Sequence, residues 1–467
     1  MTNKVDAMEE IENNAMILSP KGEMITRGLY IKTYGCQMNV YDSAKMSDLL
    51  RPHGFTSVQS VDEADMVILN TCNVREKAAE KVYSELGRIA QIKRSKAGNM
   101  VVVVAGCVAQ AEGEEVVRRA PCVDVIVGPQ SYHNLPELLE QAKRKKSWVL
   151  DLSFQENAKF DKLLPDSGVQ GVSAHISVQE GCDKFCHFCS VPYTRGAEYS
   201  RPVSQIYREV AQAVAMGAKE ITLVGQNVSA YHGDGNDGKP WSLGLLIKHI
   251  AKISDLQRLR YTTSHPRDMD DDELFDAHAN EPKLMPFVHL PIQSGSNRML
   301  KAMNRKHTWE SYVEVIEKFT DARKDIALSS DFIVGYPGET DQDFRYTLAI
   351  VNAVGYAQAY SFKYSPRPGT PASSLENQVS EEVKTDRLLV LQDLIRLKQL
   401  EFNRKSIGQE YDVLFDKAGK GDGQLMGKSP YLQSVVVNSD TNMINQIAKV
   451  KIYEAGQNSL KGEITNM

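Results

Sequence analysis

Long apolar runs are missing from this sequence. Across 467 residues no stretch approaches the ~20 consecutive apolar residues that a membrane-spanning helix needs. Residues Met1 to Asn14 are polar and acidic, without the apolar centre of a secretory leader. A cytoplasmic protein with no membrane partner is expected. An excess of positive charge is missing too: 55 Lys and Arg stand against 60 Asp and Glu, a net charge of -5. That excludes a global attraction to nucleic acid, so any RNA contact has to come from local basic patches. Low-complexity tracts are absent, and so is an even number of cysteines. There are seven, and in a reducing compartment metal ligation or catalysis explains them better than disulfides.

What is present is a chain with a 42% hydrophobic and 25% charged composition, ordinary for a folded protein and long enough for two or three domains. Residues 1–26 lack periodicity and read as a tail. From 27 to 145, strand-like runs (Leu29 to Tyr34, Met66 to Leu69, Val101 to Ala105) alternate with helical patterns (Asp42 to Leu50, Glu76 to Ile89), which predicts an open parallel α/β domain. Residues 146–172 turn polar, with Pro165, Gly168 and Gly171, and read as a linker.

Between 173 and 400 six strand candidates follow: Ala174 to Val178, Glu220 to Val224, Arg258 to Thr263, Pro286 to Ile292, Ala327 to Val334 and Gln358 to Tyr364. Helical patterns separate most of them, such as Ser204 to Met216 with a serine in the capping position. A partial (β/α)6 barrel is expected, though a doubly wound sheet would read similarly. A charged helix, Ser380 to Arg404, closes this part. Residues 403–467 change to short β-like runs (Tyr411 to Phe415, Ser434 to Val437, Ile447 to Tyr453), which predicts a small OB-like β-barrel.

Cys182, Cys186 and Cys189 lie in a CxxxCxxC pattern just past a predicted strand. Three thiolates on a 4Fe-4S cluster leave one iron without a protein ligand. That iron can chelate S-adenosylmethionine and feed it an electron, which gives a 5′-deoxyadenosyl radical. A zinc knuckle completed by His187, or a buried structural triplet, is the competing reading.

Cys36, Cys72 and Cys107 each directly follow a strand-like run, at intervals of about one βα unit. Parallel strands put their carboxyl ends on one edge, so the three should converge there, and Gly35, Thr71 and Gly106 leave room for a bulky group. Ordinary buried cysteine is the alternative. Cys122 precedes its strand and is expected on the opposite edge, as a non-ligand.

The central strands end in polar or small residues, which in a (β/α) barrel line the active site. Gln226, Asn227, Ser264, Gln293 and Asp331 are candidates for the cofactor. The run Gly335 to Gly338 could cradle a phosphate or let backbone approach the adenosyl group. Arg195, Arg201, Arg298, Lys301, Arg305 and Arg367, with Lys417, Lys420, Lys428, Lys449 and Tyr431 near the end, are candidate RNA contacts; scattered surface charge is the bland alternative.

An ordered series of motifs then resembles the methylthiotransferase family of radical S-adenosylmethionine enzymes over nearly the whole length. The series comprises Tyr34-Gly-Cys36-Gln-Met-Asn39, Asn70-Thr-Cys72, Ala105-Gly-Cys107, Gly181 to Gly196, His289 to Gly295, Asp331 to Gly335 and Arg367 to Pro371. The final part looks like a TRAM module. Cys36 to Asn39 and Gly427 to Ser434 are similar to the MiaB-type branch, which acts on N(6)-isopentenyladenosine in tRNA. The resemblance implies two 4Fe-4S clusters, S-adenosylmethionine, and methylthiolation of carbon-2 beside the anticodon. It further implies the tRNA anticodon stem-loop as partner, an electron donor such as flavodoxin or ferredoxin, a possible sulfur donor protein, and a monomer. Gly225-Gln226-Asn227 stands where the wider superfamily commonly has Gly-Gly-Glu. Alternatives are a threonylcarbamoyl-adenosine methylthiotransferase, a ribosomal-protein aspartate methylthiotransferase, or a non-catalytic iron-sulfur RNA-binding adaptor.

Overall fold

A computed structural model of the protein describes residues 26–72, 76–154, 158–163, 171–439 and 443–466. Nearly all of the expected tail, and residues 155–157 and 164–170 of the expected linker, lie outside them. The chain divides into two compact units, Met1–Gly168 with Tyr193–Gly196, and Val169–Pro192 with Ala197–Met467.

Unit 1 is built on runs such as Met66–Thr71 and Val101–Gly106, apolar and buried on both faces, as strands covered from two sides must be. Six strands form one sheet: β1 (Arg27–Thr33), β2 (Phe55–Ser57), β3 (Met66–Thr71), β4 (Val101–Gly106), β5 (Val125–Val127) and β6 (Val149–Asp151). The order is β2-β1-β3-β4-β5-β6 and every pairing is parallel. The chain steps from β1 outward to β2 and returns past β1 to β3, so the order reverses at β1/β3, where open sheets leave a crevice at the carboxyl ends. Strand β6 and the helix Ala158–Lys162 fall inside the stretch expected to be a linker. A three-residue strand beside β5 gains its stability from pairing, which composition does not reveal.

Unit 2 opens with β7 (Ser173–Ser177), a short antiparallel pair β8 (Gln179–Glu180) and β9 (Tyr199–Ser200), then β10 (Glu220–Val224) and β11 (Arg258–Tyr261). It continues with β12 (Phe287–His289), β13 (Ala327–Val334) and β14 (Gln358–Lys363). Parallel sheets β7-β10-β11 and β12-β13-β14 are linked by a parallel bridge between Leu259 and Leu284. Spatial order follows chain order throughout, as in a partial barrel and unlike a doubly wound sheet. The helix after β9 spans Val203–Ala215 and is preceded by Pro202, with no side-chain cap; Ser204 lies inside it, correcting the expected serine cap. Its apolar face, with Ile206, Val210 and Ala213, joins the main core.

Strands β15 (Glu410–Ala418), β16 (Gln424–Lys428), β17 (Ser434–Asn438), β18 (Ile447–Ala455) and β19 (Leu460–Asn466) close a barrel around Val413, Phe415, Val435, Val450 and Leu460. Arg258, at the start of β11, donates to the backbone carbonyls of Asp412 and, at 3.0 Å, Lys428. Arg260 donates to Ser429 O at 3.1 Å and Pro430 O at 2.9 Å, and its Nε to Glu220 at 2.9 Å. Both arginines are buried, and removing the barrel would take these carbonyl acceptors from two guanidiniums.

Candidate metal centres and cofactor site

In unit 1 the three cysteines follow three adjacent strands. Cys36 comes after β1, Cys72 directly after β3, and Cys107 directly after β4, as the first residue of the helix Cys107–Glu112. A pair of asparagines fixes the turns. Asn39 accepts from Cys36 Sγ at 3.2 Å and donates to Thr71 O at 2.8 Å, while Asn70 donates to Asn39 O at 2.8 Å and Ser43 Oγ at 2.9 Å. Both are fully buried. Gly35 has φ +109°, and a Cβ there would lie 2.1 Å from Cys72 Cβ, so only glycine lets the β1 turn close on the second cysteine. The Cys36 thiol falls to about 6, chiefly through its hydrogen bond with Cys72, against the opposing effect of burial and with help from the Arg195 charge. Burial pushes Cys107 up, and Arg195 opposes this.

Arg195 is itself 2% exposed and pairs with Asp42 at 2.7 Å. Lys159 Nζ lies 3.5 Å from the other Asp42 oxygen. Cys122 has its thiol 3.7 Å from Leu86 O, ahead of β5 and therefore at the amino edge of the parallel sheet.

In unit 2, Cys182, Cys186 and Cys189 sit on the loop after β8. Phe185 takes φ +47°, a sharp turn within the loop. Burial drives Cys182 up to about 11 and Cys189 to about 12, opposed by backbone N–H groups of Lys184 and Val191. Val191 N is 3.5 Å from Cys189 Sγ, and Arg305 Nη1 is 3.5 Å from Cys186 Sγ. Donors aimed at buried sulfur favour thiolate over thiol.

Among the described residues, no three His, Cys, Asp or Glu side chains are drawn round a single point as one ion would require. A cluster spreads its three thiolates over separate irons. The all-thiol donor sets, the glycine cradle at Cys72 and the donors aimed at sulfur fit such a group at both sites.

The expected cofactor residues divide. Gln226 Oε1 accepts from Gly181 N at 2.8 Å, which latches the cysteine loop. Asn227 donates to Asp268 at 2.8 Å and accepts from Ser229 at 2.8 Å, so its side chain is taken up locally. Gly335 is filled from behind: its N–H goes to Glu339 at 2.7 Å, and a Cβ would lie 2.3 Å from Lys384 Cγ. The glycine turn thus seats the helix Glu381–Arg404, and its amide is not available to a phosphate. Gln293 adopts φ +78° at the end of its strand, and Asp331 is half-buried with His289 3.6 Å away. Ser264 Oγ is buried without a hydrogen-bond partner, and so are Nε2 of His265 and of His307. Burial, reinforced by Arg305, keeps both imidazoles neutral, His307 near 4. His265 directly follows Ser264 at one of the polar strand ends expected to line the site, whereas His307, well away from any strand end, was not anticipated.

The candidate RNA contacts divide. Arg195 and Arg201 are buried, the latter paired with Glu209 at 2.8 Å. Lys428 is half-buried with Nζ on Ser434, and Tyr431 donates to Asp325 at 2.8 Å at the seam with the barrel of parallel strands. Arg298 pairs with Asp343, and Arg367 is half-buried. Arg298, Lys301, Lys417, Lys420 and Lys449 are exposed.

With this geometry in place, known proteins can be compared. Residues 28–128 match uncharacterized protein family UPF0004, 176–351 the radical SAM superfamily and 404–465 the TRAM domain. The tRNA-2-methylthio-N(6)-dimethylallyladenosine synthase of Wolbachia pipientis wMel is 60% identical over 93% of this chain and 99% of its own length. The chain belongs to this synthase family. The synthase of the same name from Rickettsia bellii (strain OSU 85-389) is 58% identical, over 94% of this chain and all of its own. Among solved structures, the radical S-adenosylmethionine methyltransferase TsrM from Kitasatospora setae superposes with a TM-score of 0.54 at 14% identity, covering 85% of this chain and 79% of that one, a likeness of fold. Among the described residues no helix of this synthase family member is long and apolar enough to cross a membrane.

Proposed function

We propose that this chain is a tRNA methylthiotransferase that acts at carbon-2 of N(6)-isopentenyladenosine, the dimethylallyladenosine of its relatives' name, next to the anticodon. One observation carries the reading: the chain pairs two separate three-thiol sites in a sequence about 60% identical, end to end, to synthases of that name. Cys182, Cys186 and Cys189 would hold one 4Fe-4S cluster and Cys36, Cys72 and Cys107 the other. Bound there, the first would supply the electron that splits S-adenosylmethionine into methionine and a 5′-deoxyadenosyl radical, and the second would be the place for sulfur.

The protein's own residues have definable tasks. Arg305 and the backbone at Val191 orient sulfurs of the radical loop, and Gln226 latches that loop to the strand beside it. Ser264 and His265, buried with unsatisfied atoms at the end of β11, are the polar groups left to meet the cofactor. An external reductant of the flavodoxin or ferredoxin class and a sulfur donor complete the cycle.

Nucleoside mass spectrometry of tRNA from cells lacking the gene tests this. The 2-methylthio group on N(6)-isopentenyladenosine should vanish and return with the wild-type gene. Its persistence, with loss of mass instead from threonylcarbamoyl-adenosine or a ribosomal protein, would overturn the assignment.

A further inference from the structure

Arg305 lies 119 residues from Cys186, yet its segment is stitched to the cysteine loop. His187 N donates to Met303 O at 3.0 Å and its Nδ1 lies 2.9 Å from Ala302 O, while Asn304 Nδ2 donates to Phe185 O at 2.9 Å. These bonds tie the end of the helix Asn297–Ala302 to the loop that carries the thiols. Held in this way, Arg305 donates from Nη1 to Cys186 Sγ at 3.5 Å and from Nη2 to Pro291 O at 2.6 Å.

Arg305 is 5% exposed, and among the described residues it makes no ion pair with a carboxylate. A buried charge left unpaired is strongly destabilising. Its neighbours do not offset it. His307, whose Nδ1 lies 3.1 Å from Arg305 O, and His265, edge-on to that ring at 5.5 Å, are both held neutral by burial. Lys184, the other cation of the loop, is matched by Asp268 at 2.8 Å. What Arg305 faces is sulfur: three thiolates on a cluster would bring the missing negative charge, and reduction of that cluster would add to it.

We propose that Arg305 is the counter-charge of the Cys182, Cys186 and Cys189 site: acting through the sulfur of Cys186, it stabilises the reduced form of a cluster bound there and raises its reduction potential. Charge and hydrogen bonds at the sulfurs are levers a protein has on such potentials. The electron comes from the external reductant, and the charge it adds is what the guanidinium meets. The inference rests on the iron-sulfur reading of this trio.

The test uses the full-length chain carrying Cys72→Ala, which leaves the cluster of the radical loop as the species observed. It is reconstituted anaerobically and titrated with dithionite under EPR, without S-adenosylmethionine. Arg305→Gln should lower the midpoint potential by at least a tenfold change in the reduced-to-oxidised ratio, or 59 mV for one electron. Arg305→Lys, which keeps a charge but not the planar fork, should lower it by less. Asn304→Ala loosens the loop and leaves the charge in place, so its potential should stay at the parent's value. A potential that is unchanged or raised in Arg305→Gln, or that falls equally in Asn304→Ala, overturns the proposal, as does loss of the cluster from both Arg305 variants. Should Arg305→Gln alone take up no cluster, Arg305→Lys decides by the same comparison. If the parent itself takes up no cluster, the iron-sulfur reading fails instead, and independently of Arg305.

Discussion

The two cysteine trios are assembled by different means. Cys182, Cys186 and Cys189 share one loop, turned by the positive φ of Phe185 and braced by Arg305, so most of what shapes the site is close in sequence. Cys36, Cys72 and Cys107 are gathered by the sheet, each delivered by a different strand and tied by buried asparagines from two of the turns. A local site survives imperfections elsewhere; a distributed one inherits every error in strand register. The distributed site should thus be the more fragile to substitutions that are not ligands.

Replacing ligands gives the largest contrast. Cys182→Ala should abolish 5′-deoxyadenosine formation and leave about one cluster by iron analysis, because no nearby group replaces a thiolate. Cys72→Ala should also leave about one, but keep 5′-deoxyadenosine forming without methylthiolated tRNA. Retained cleavage in Cys182→Ala would sink the division of labour.

Next comes Gly35→Ala. Strain at φ +109° costs roughly 1–3 kcal/mol, and the clash with Cys72 adds to it. Iron content should fall toward one cluster, with the visible absorption of the radical-loop cluster intact; full iron content would break the argument that glycine is required.

A subtler pair sets Asn70→Ala against Asn304→Ala. Asn70 leaves buried partners unsatisfied, so about 1–3 kcal/mol should be lost in denaturant titration. Asn304 bonds Phe185 O at 2.9 Å from a half-buried position and should cost under ~1 kcal/mol. Equal losses would erase the distinction between distributed and local support. Smallest of all, Cys122→Ser should change neither iron content nor product, since its thiol makes only a long contact with Leu86 O.

The sequence exposed the elements whose signal is local. Six strands of the partial barrel and the strands before Cys36, Cys72 and Cys107 are apolar runs with clear ends, and the structure places them close to the expected bounds. The barrel strands β16 and β19, with their mixed composition, went unseen. So did β6.

Side-chain destinations were much less legible. Arg195 and Asp42 are 153 residues apart, and nothing in a short window distinguishes a buried arginine from a surface one. Gly335 looked like a phosphate cradle because glycine marks close approach without saying by what, and here it is Lys384 that approaches. Lys428 reaches Ser434 and Tyr431 reaches Asp325, destinations that a basic or aromatic residue in a short window does not announce.

The arginine clamp under the closing barrel has a consequence during synthesis. Arg258 and Arg260 find their carbonyl acceptors as many as 170 residues later in the chain. At about 5–20 residues per second, the ribosome needs roughly ten to thirty seconds to make that stretch. For that interval two guanidiniums beside Glu220 wait half-finished on the nascent core.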